Sequence, residues 1–363
     1  MKSTDLAVRM SDSVMARFPK LPLKWSYDYG VVFKGMEQVW RNTGDAGYLN
    51  YIKRNMDPFL QPDGTILGYE RSKHNLDFIN NGKLLFLLYR EFGEEKYQKA
   101  IELLRGQLDE QPRNQDGGFW HKDIYPRQMW LDGLYMESPF LAEYGRENKR
   151  PEDLKEAARQ LVTMYADALD KKTGLLYHAY DEARAQPWAD KETGCSPNFW
   201  GRSMGWYCMA LADVMEIITP AHEDFSALGD ILRKVLTALA GVQDEQTGCW
   251  YQVLDMGGRE GNYLEASCSC MFLYALEYAR MIGIGSPRLD SALEKAHTGI
   301  PSQFVREENG LLSLADVCEV AGLGGTPYRS GSYDYYISEP RKTNDLKGVG
   351  AFIQAYARGG EQR

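Results

Sequence analysis

The chain has 363 residues, 44% of them hydrophobic, with 42 basic and 51 acidic residues and a formal net charge of −9. This length allows a large buried core, and an acidic chain without a basic patch is not expected to bind nucleic acid. We expect no membrane association, because no run of about eighteen apolar residues is present and the first ten residues lack the pattern of a signal peptide.

The predicted helices alternate between two kinds, starting from the N-terminus. The first kind is amphipathic and charged, as half-exposed helices are, and is predicted at 6–18, 48–59, 97–110, 153–169, 225–242 and 288–297. The second kind is apolar nearly all round, as buried helices are, and is predicted at 29–41, 77–92, 131–144, 200–218, 264–282 and 345–357.

A short turn pattern recurs between the helices. It reads D-G-T-I-L-G-Y, D-G-G-F-W-H, T-G-L-L-Y-H-A-Y, T-G-C-W-Y-Q-V and N-G-L-L-S-L in chain order. A turn dipeptide followed by β-prone residues predicts a short strand or hairpin after a tight turn.

Six outer and six inner helices predict an all-α fold, an (α/α)6 barrel with short strands in the connecting turns, as one domain over 1–363. A solenoid of stacked helix pairs is the alternative, but it needs polar capping repeats at its ends. The last inner segment contains L-K-G-V-G-A-F-I-Q-A-Y, which is too apolar for a cap and favours a closed ring. In a closed ring the turns before the inner helices meet at one mouth, where we expect a concave site.

Two acids are predicted at the starts of inner helices, Asp77 in H-N-L-D-F-I-N-N-G-K and Asp132 in M-W-L-D-G-L-Y-M. Each has an alternative interpretation as a helix N-cap. Gly133 is predicted to leave open space beside Asp132, with Trp130 and Tyr135 helping to exclude water. Neighbouring carboxylates resist ionising together, whereas a helix N-terminus favours the charged form. If repulsion and burial prevail, one carboxyl stays protonated near neutral pH and can act as a general acid.

Further candidates lie near the same mouth. His121 and His178 belong to the turn patterns, and each is alternatively a satisfied core imidazole. Arg202 lies four residues before Trp206 in F-W-G-R-S-M-G-W, a spacing that allows the guanidinium to lie over the indole. An ion pair with any acid is the alternative for Arg202.

These motifs, together with Y-I-S-E-P-R-K-T-N-D-L-K-G-V-G-A-F, resemble the unsaturated rhamnogalacturonyl hydrolases of glycoside hydrolase family 105. The related unsaturated glucuronyl hydrolases of family 88 share the toroid and the chemistry. The resemblance implies an enzyme that hydrates the C4=C5 double bond of an unsaturated galacturonyl residue in pectin lyase products and releases the neighbouring sugar, such as rhamnose. It implies no metal and no organic cofactor.

The resemblance also implies roles for individual residues. Asp132 matches the general acid/base, and Asp77 matches the second acid, which would hold the substrate and help keep Asp132 protonated. Arg202 or Lys347 would face the uronate carboxylate, and the sequence does not choose between them. The other residues that match the substrate pocket are His121, His178, Trp130, Trp200 and Trp206, and Trp200 or Trp206 is expected to stack on a sugar ring.

Three other functions stay open at this point. An unsaturated glucuronyl hydrolase would use the same chemistry on glycosaminoglycan or other uronyl fragments. A non-catalytic sugar-binding toroid would have little need of two acids at one mouth. A structural helical-repeat adaptor would place its anchors along a groove and not at one set of turns.

Cellular context and assembly are predicted only coarsely. Six cysteines without a C-x-x-C pair argue against zinc and for reduced thiols in a cytoplasmic protein. The expected partner is an unsaturated uronyl oligosaccharide, and the chain is expected to be a monomer or a weak homo-oligomer. The polar segment 181–196 is either a lid or site wall, or a solvated loop.

Overall fold

A computed structural model describes residues 3–359, and within them the predicted alternation of helices is confirmed. The outer helices are α1 (Ser3–Arg17), α3 (Ala46–Met56), α5 (Glu95–Glu110), α7 (Pro151–Ala168), α9 (Phe225–Ala240) and α11 (Pro287–Phe304). The inner helices are α2 (Tyr27–Thr43), α4 (Gly82–Phe92), α6 (Leu131–Glu147), α8 (Gly201–Ile218), α10 (Ala266–Met281) and α13 (Leu346–Arg358).

The inner helices form a closed ring. Each packs against the next in chain order, and α13 packs against α2 to complete the circle. Helix α1 covers the outside of this junction by packing on both α13 and α2. The prediction of an (α/α)6 barrel is therefore confirmed over the solenoid.

Local sequence explains where several helices begin. The side chain of Ser286 accepts from the amide of Leu289 at the start of α11, and Asp345 accepts from the amide of Lys347 at the start of α13. Such caps satisfy backbone donors that have no partner within the helix.

Two predicted boundaries are wrong. The segment predicted at 77–92 is divided into a 3-10 turn, Leu76–Ile79, and the α-helix Gly82–Phe92. Helix α11 continues to Phe304, past the predicted end at 297, although Pro301 lies inside it. Burial of Ile300 and Phe304 stabilises this last turn against the unfavourable proline.

Short strands occupy the connections, as predicted. The antiparallel pairs are β1 (Gln128–Trp130) with β2 (Ala179–Asp181), β3 (Val305–Glu308) with β4 (Leu311–Leu314), and β5 (Val317–Cys318) with β6 (Arg341–Lys342). Asn309 and Gly310 form the predicted turn between β3 and β4, with φ values of 52° and 77° that suit a two-residue hairpin. A short helix, α12 (Tyr333–Ser338), was not predicted.

The core lies between the two layers of helices and fills the ring itself. Helices α6, α8, α10 and α13 are buried along almost their whole lengths. All six cysteines are buried and unpaired. Among residues 3–359, no helix combines the length and the apolarity needed to cross a membrane.

Candidate active site

Asp132 lies in the first turn of α6, at the mouth where the inner helices begin. Its carboxyl oxygen Oδ2 lies 3.2 Å from Nε2 of His178, without the alignment of a hydrogen bond, so this buried oxygen has no hydrogen-bond partner among the described residues. The N-cap of α6 is Trp130, which makes no side-chain capping bond. The N-cap interpretation of Asp132 is therefore wrong, and its carboxyl is available at the mouth.

Asp77 has a different environment. Its Oδ2 lies 2.5 Å from Nζ of Lys122, and its Oδ1 lies 3.7 Å from Nε2 of His121. Burial by itself raises the pKa of Asp77, but the positive charge of Lys122 and the nearby His121 outweigh burial, so the pKa lies below its ordinary value. The cap of this turn is Asn75, which accepts from the amide of Asp77, so the N-cap interpretation of Asp77 is also wrong.

His121 is buried between the two acids' helices and stacks on Trp130, with ring centroids 4.9 Å apart. Burial lowers the pKa of His121 to about 4 although Asp77 opposes this, so the imidazole is neutral at pH 7. Its Nδ1 has no hydrogen-bond partner among the described residues, which argues against a satisfied core imidazole. Gly133 does not leave open space as predicted, because a Cβ there would lie 3.0 Å from His121 Nδ1 and 3.0 Å from Leu76.

His178 is fully buried and is held from its other side by Tyr336. The two residues are joined by a hydrogen bond of 2.7 Å between Nδ1 and the hydroxyl. Tyr336 belongs to α12 and is the first residue of the motif Y-I-S-E-P, but no role was predicted for it. This bond fixes the ring plane that presents Nε2 to Asp132.

The tryptophans and Arg202 are arranged differently from the prediction. The guanidinium lies over Trp200, 5.2 Å from the ring centroid, and no contact with the Trp206 ring accompanies it. Arg202 donates to the carbonyl oxygen of Cys318 and is 1% exposed. Trp206 is completely buried and stacks on Tyr135 at 4.7 Å, so it presents no surface on which a sugar ring can stack.

The two candidate cations for a uronate are both engaged within the protein. Lys347 pairs with Asp345 at 2.8 Å, and burial and Arg202 lower the pKa of Lys347. Tyr27 was not predicted from the sequence, but it lies close enough to Asp77, Arg202 and Asp132 for their charges to act on its hydroxyl. Burial and the negative charge of Asp77 raise the pKa of its hydroxyl, Arg202 opposes this, and Asp132 adds to it.

One wall of the mouth is built from distant segments. Trp130 stacks on Tyr125 at 4.7 Å, and the Tyr125 hydroxyl accepts from Arg329 at 2.9 Å. Trp188, from segment 181–196, is buried against Trp130 and Leu323. The interpretation of segment 181–196 as a solvated loop is therefore wrong at Trp188, where the segment forms part of the wall. Movement of this segment as a lid stays a prediction.

The arrangement brings together a carboxyl near a histidine and a second carboxylate held by a lysine. Two acids whose environments differ in this way are suited to different roles, one transferring a proton and one remaining charged. Of the nearby rings, Tyr125 is half-buried and offers a flat surface of the kind that contacts sugar rings, whereas Trp130 and Trp200 are 5% and 2% exposed.

A closed toroid of helix pairs with two such acids at one mouth is the architecture of the six-hairpin glycosidases. The family model of Glycosyl Hydrolase Family 88 matches residues 6–358. The chain belongs to this family.

Known relatives support this classification. A solved C. acetobutylicum ATCC 824 glycoside hydrolase from family 105 is 46% identical, covers 97% of this chain and 98% of its own, and superposes with a TM-score of 0.94. The unsaturated rhamnogalacturonyl hydrolase YesR of Bacillus subtilis is 28% identical over 73% of this chain and 74% of its own. The unsaturated glucuronyl hydrolase of Bacillus sp. GL1 has a TM-score of 0.68 at 14% identity, covering 98% of this chain and 96% of its own, which shows the shared fold.

Proposed function

We propose that the protein hydrates the C4=C5 double bond of a non-reducing-end unsaturated galacturonyl residue in rhamnogalacturonan lyase products and releases the neighbouring sugar, such as rhamnose. The likeness to YesR supports the substrate class. The six unpaired, buried cysteines agree with the proposed place of this reaction in cytoplasmic pectin degradation.

The observation that carries the proposal is the contrast between the two acids. Asp77 is held as a carboxylate by Lys122 at 2.5 Å. Asp132 has no lysine or arginine at ion-pair distance among the described residues, and its Oδ2 faces His178. Of the two acids, Asp132 is therefore the one that can gain and lose a proton without breaking an ion pair with a lysine.

In the proposed reaction the protonated carboxyl of Asp132 transfers its proton to C4. Positive charge develops on C5 and the ring oxygen, and a water molecule adds at C5. The resulting carboxylate of Asp132 accepts a proton from that water, which restores the acid. The C5 hemiketal then opens to a ketone, and the bond to the neighbouring sugar breaks at the former anomeric centre.

The remaining residues have proposed roles in holding the sugar. His121, neutral at pH 7, and His178 would bond to sugar hydroxyls or to the water. Trp200 and Trp130 would contact the uronyl ring. Arg202, Lys347 or Lys122 would form an ion pair with its carboxylate. Trp206 would have an indirect role, because its ring packs edge-on against the ring of Tyr27, with the ring centroids 6.2 Å apart.

The test is Asp132→Asn, assayed as loss of ultraviolet absorbance from the conjugated double bond. An amide cannot supply the proton, so turnover is expected to fall by about 10²- to 10⁴-fold. Asp230→Asn, on the outer helix α9 and 54% exposed, is the matched control and should retain wild-type turnover. Near-native turnover by Asp132→Asn would contradict the mechanism.

The substrate is tested in the same assay with a panel of unsaturated disaccharides. We expect the fastest absorbance loss with unsaturated galacturonyl-rhamnose. Preference for glycosaminoglycan disaccharides would instead identify an unsaturated glucuronyl hydrolase. No loss with any of them would indicate a sugar-binding protein without this activity.

A further inference from the structure

A second cavity, of about 240 Å³, lies at the end of the barrel away from the two acids, and its lining comes from all six inner helices. Basic residues in the last turns of four of these helices surround its opening, namely Arg41, Arg90, Arg146 and Arg358. Each pairs with a carboxylate and also complements the negative end of its helix dipole. These arginines are therefore explained by the fold.

Lys83 is different, because it lies deep in this cavity and is 2% exposed. Within residues 3–359 it has no carboxylate within ion-pair distance. Its Nζ donates instead to the backbone carbonyl oxygen of Tyr135 at 3.0 Å and lies 3.5 Å from the centroid of the Tyr135 ring. A buried ammonium directed at a backbone carbonyl needs a local explanation.

Pro139 supplies that explanation. It lies inside α6, four residues after Tyr135. In an α-helix the amide of residue 139 would donate to the carbonyl of residue 135, but proline has no N–H. The Tyr135 carbonyl is thus left free within its helix, and Lys83 of the neighbouring helix α4 occupies it.

Tyr135 connects this contact to the proposed active site. It follows Asp132 by three residues, so the two lie about one turn apart on α6. Its ring stacks on Trp206 at 4.7 Å, and its hydroxyl accepts from Gln354 of α13 at 3.3 Å. Tyr135 therefore lies in the layer that separates the mouth with the two acids from the second cavity.

We propose that Lys83 is a positioning residue for catalysis: by bonding the Tyr135 carbonyl that Pro139 leaves free, it holds the first turn of α6 and so keeps the Asp132 carboxyl facing His178. This inference rests on the proposed role of Asp132.

The buried environment of Lys83 disfavours the charged form of its side chain, so a lysine at this position is unfavourable unless it has a specific role. Burial lowers the pKa of Lys83 to about 7. The charged groups that face it are Asp213 on α8, Lys34 on α2, and Glu143 and Glu137 on α6. None of the acids makes contact, so the carbonyl and the aromatic face are its direct partners.

The first test is Lys83→Met, which keeps the length of the side chain and removes the donor. We expect kcat to fall about ten- to a hundredfold with KM within about twofold, because a misplaced proton donor affects the chemical step. Lys83→Arg retains a donor and should recover part of kcat. Lys34→Met is the matched control, since Lys34 lines the same cavity but pairs with Glu37 at 2.6 Å, and its kcat should stay within about twofold of wild type.

The second test restores the missing backbone donor. Pro139→Ala provides an N–H at residue 139, which can bond the Tyr135 carbonyl in place of Lys83. Lys83→Met should therefore reduce kcat less in the Pro139→Ala background than in the wild-type background. An equal reduction in both backgrounds would overturn the proposed route through this carbonyl.

The third test does not depend on activity. Amide hydrogen exchange in the peptide spanning 131–136 should be faster in Lys83→Met and close to wild type in Lys34→Met. Unchanged exchange in Lys83→Met would overturn the proposal. If Lys83→Met does not fold, the same comparison is made with Lys83→Arg, where exchange slower than in Lys83→Ala supports it and equal exchange contradicts it. Failure of the Asp132 mechanism would show in Asp132→Asn and leave the exchange result intact.

Discussion

At the scale of single residues, the candidate site is defined by charges that burial and neighbours hold in different states. Lys122 keeps Asp77 charged, and its ammonium lies 2.5 Å from that carboxylate. Burial keeps His121 neutral by lowering its pKa to about 4. Asp132 lies beside His178, and within residues 3–359 it has neither a lysine or arginine partner nor a side-chain capping bond to a backbone amide.

Replacing the cation tests how Asp77 is held. Lys122→Met leaves a largely buried carboxylate without its partner, so the free energy of unfolding at pH 7 should fall by about 1–3 kcal/mol. The native pKa of Asp77 is below its ordinary value, so the stabilising pair is present above about pH 4 and is lost as pH falls through the native pKa. The difference between variant and wild type should therefore shrink in acid, as measured by urea unfolding at pH 7 and pH 3.

A matched control is Lys155→Met. Lys155 pairs with Glu223, and both side chains are about two-thirds exposed, at 65% and 67%. An exposed pair contributes about 0–1 kcal/mol, so this variant should change little at either pH. A loss in Lys122→Met that is constant from pH 7 to pH 3 would show that Asp77 is not the group concerned.

At the scale of elements, helix α6 carries two residues that disfavour a helix. Gly133 allows His121 to approach its backbone, and Pro139 removes a helical hydrogen bond whose carbonyl Lys83 then occupies. Local helix propensity and tertiary packing disagree here, a conflict of the kind expected at functional or strained segments.

Alanine substitution at two helical glycines separates propensity from packing. Gly229→Ala in α9 meets only ordinary contacts, the nearest at 3.4 Å, and should raise the free energy of unfolding by about 0.5–1 kcal/mol. Gly133→Ala places a Cβ 3.0 Å from His121 Nδ1, so it should lack this gain and lower turnover about tenfold by displacing the imidazole. Equal stabilisation by both substitutions, with native turnover, would contradict the packing argument.

At the scale of the whole molecule, the closure of the ring joins the two ends of the described chain. Helix α1 packs on α13 and α2, and Arg17 donates to the hydroxyl of Ser313 at 2.8 Å. Ser13 accepts from the amide of Leu312 at 2.8 Å. Because outer and inner helices run in opposite directions, the start of α1 and the end of α13 lie at the same end of the barrel.

A circular permutant tests this closure. A short flexible linker would join residue 359 to residue 3, and new termini would open in the turn at Gly283, where a Cβ would meet no neighbouring atom within 4 Å. We expect the permutant to unfold cooperatively, with a Tm within a few degrees of wild type and with native turnover, because a ring has no preferred end. Thermal unfolding followed by circular dichroism provides the measurement, and loss of cooperative unfolding would contradict the closed ring.

The sequence by itself determined the architecture, because periodicity and local turn chemistry are short-range properties. The outer helices are apolar on one side and the inner helices are apolar nearly all round, and this difference can be recognised within each segment. The same local reading placed Asp77 and Asp132 at the mouth. Two helix boundaries were wrong, because the break at Leu76–Ile79 and the late end of α11 depend on tertiary packing that the local pattern does not contain.

Only the tertiary structure decided which groups act on those acids. Lys122 contacts Asp77 across 45 residues, Tyr336 bonds His178 across 158, and Lys83 bonds the Tyr135 carbonyl across 52. Trp206 and Arg202 likewise took partners other than the ones that helical spacing suggested. Contacts between distant segments follow from how the ring closes and leave no periodic signal in a single sequence, so the charge state and the orientation of the site emerge only in the folded molecule.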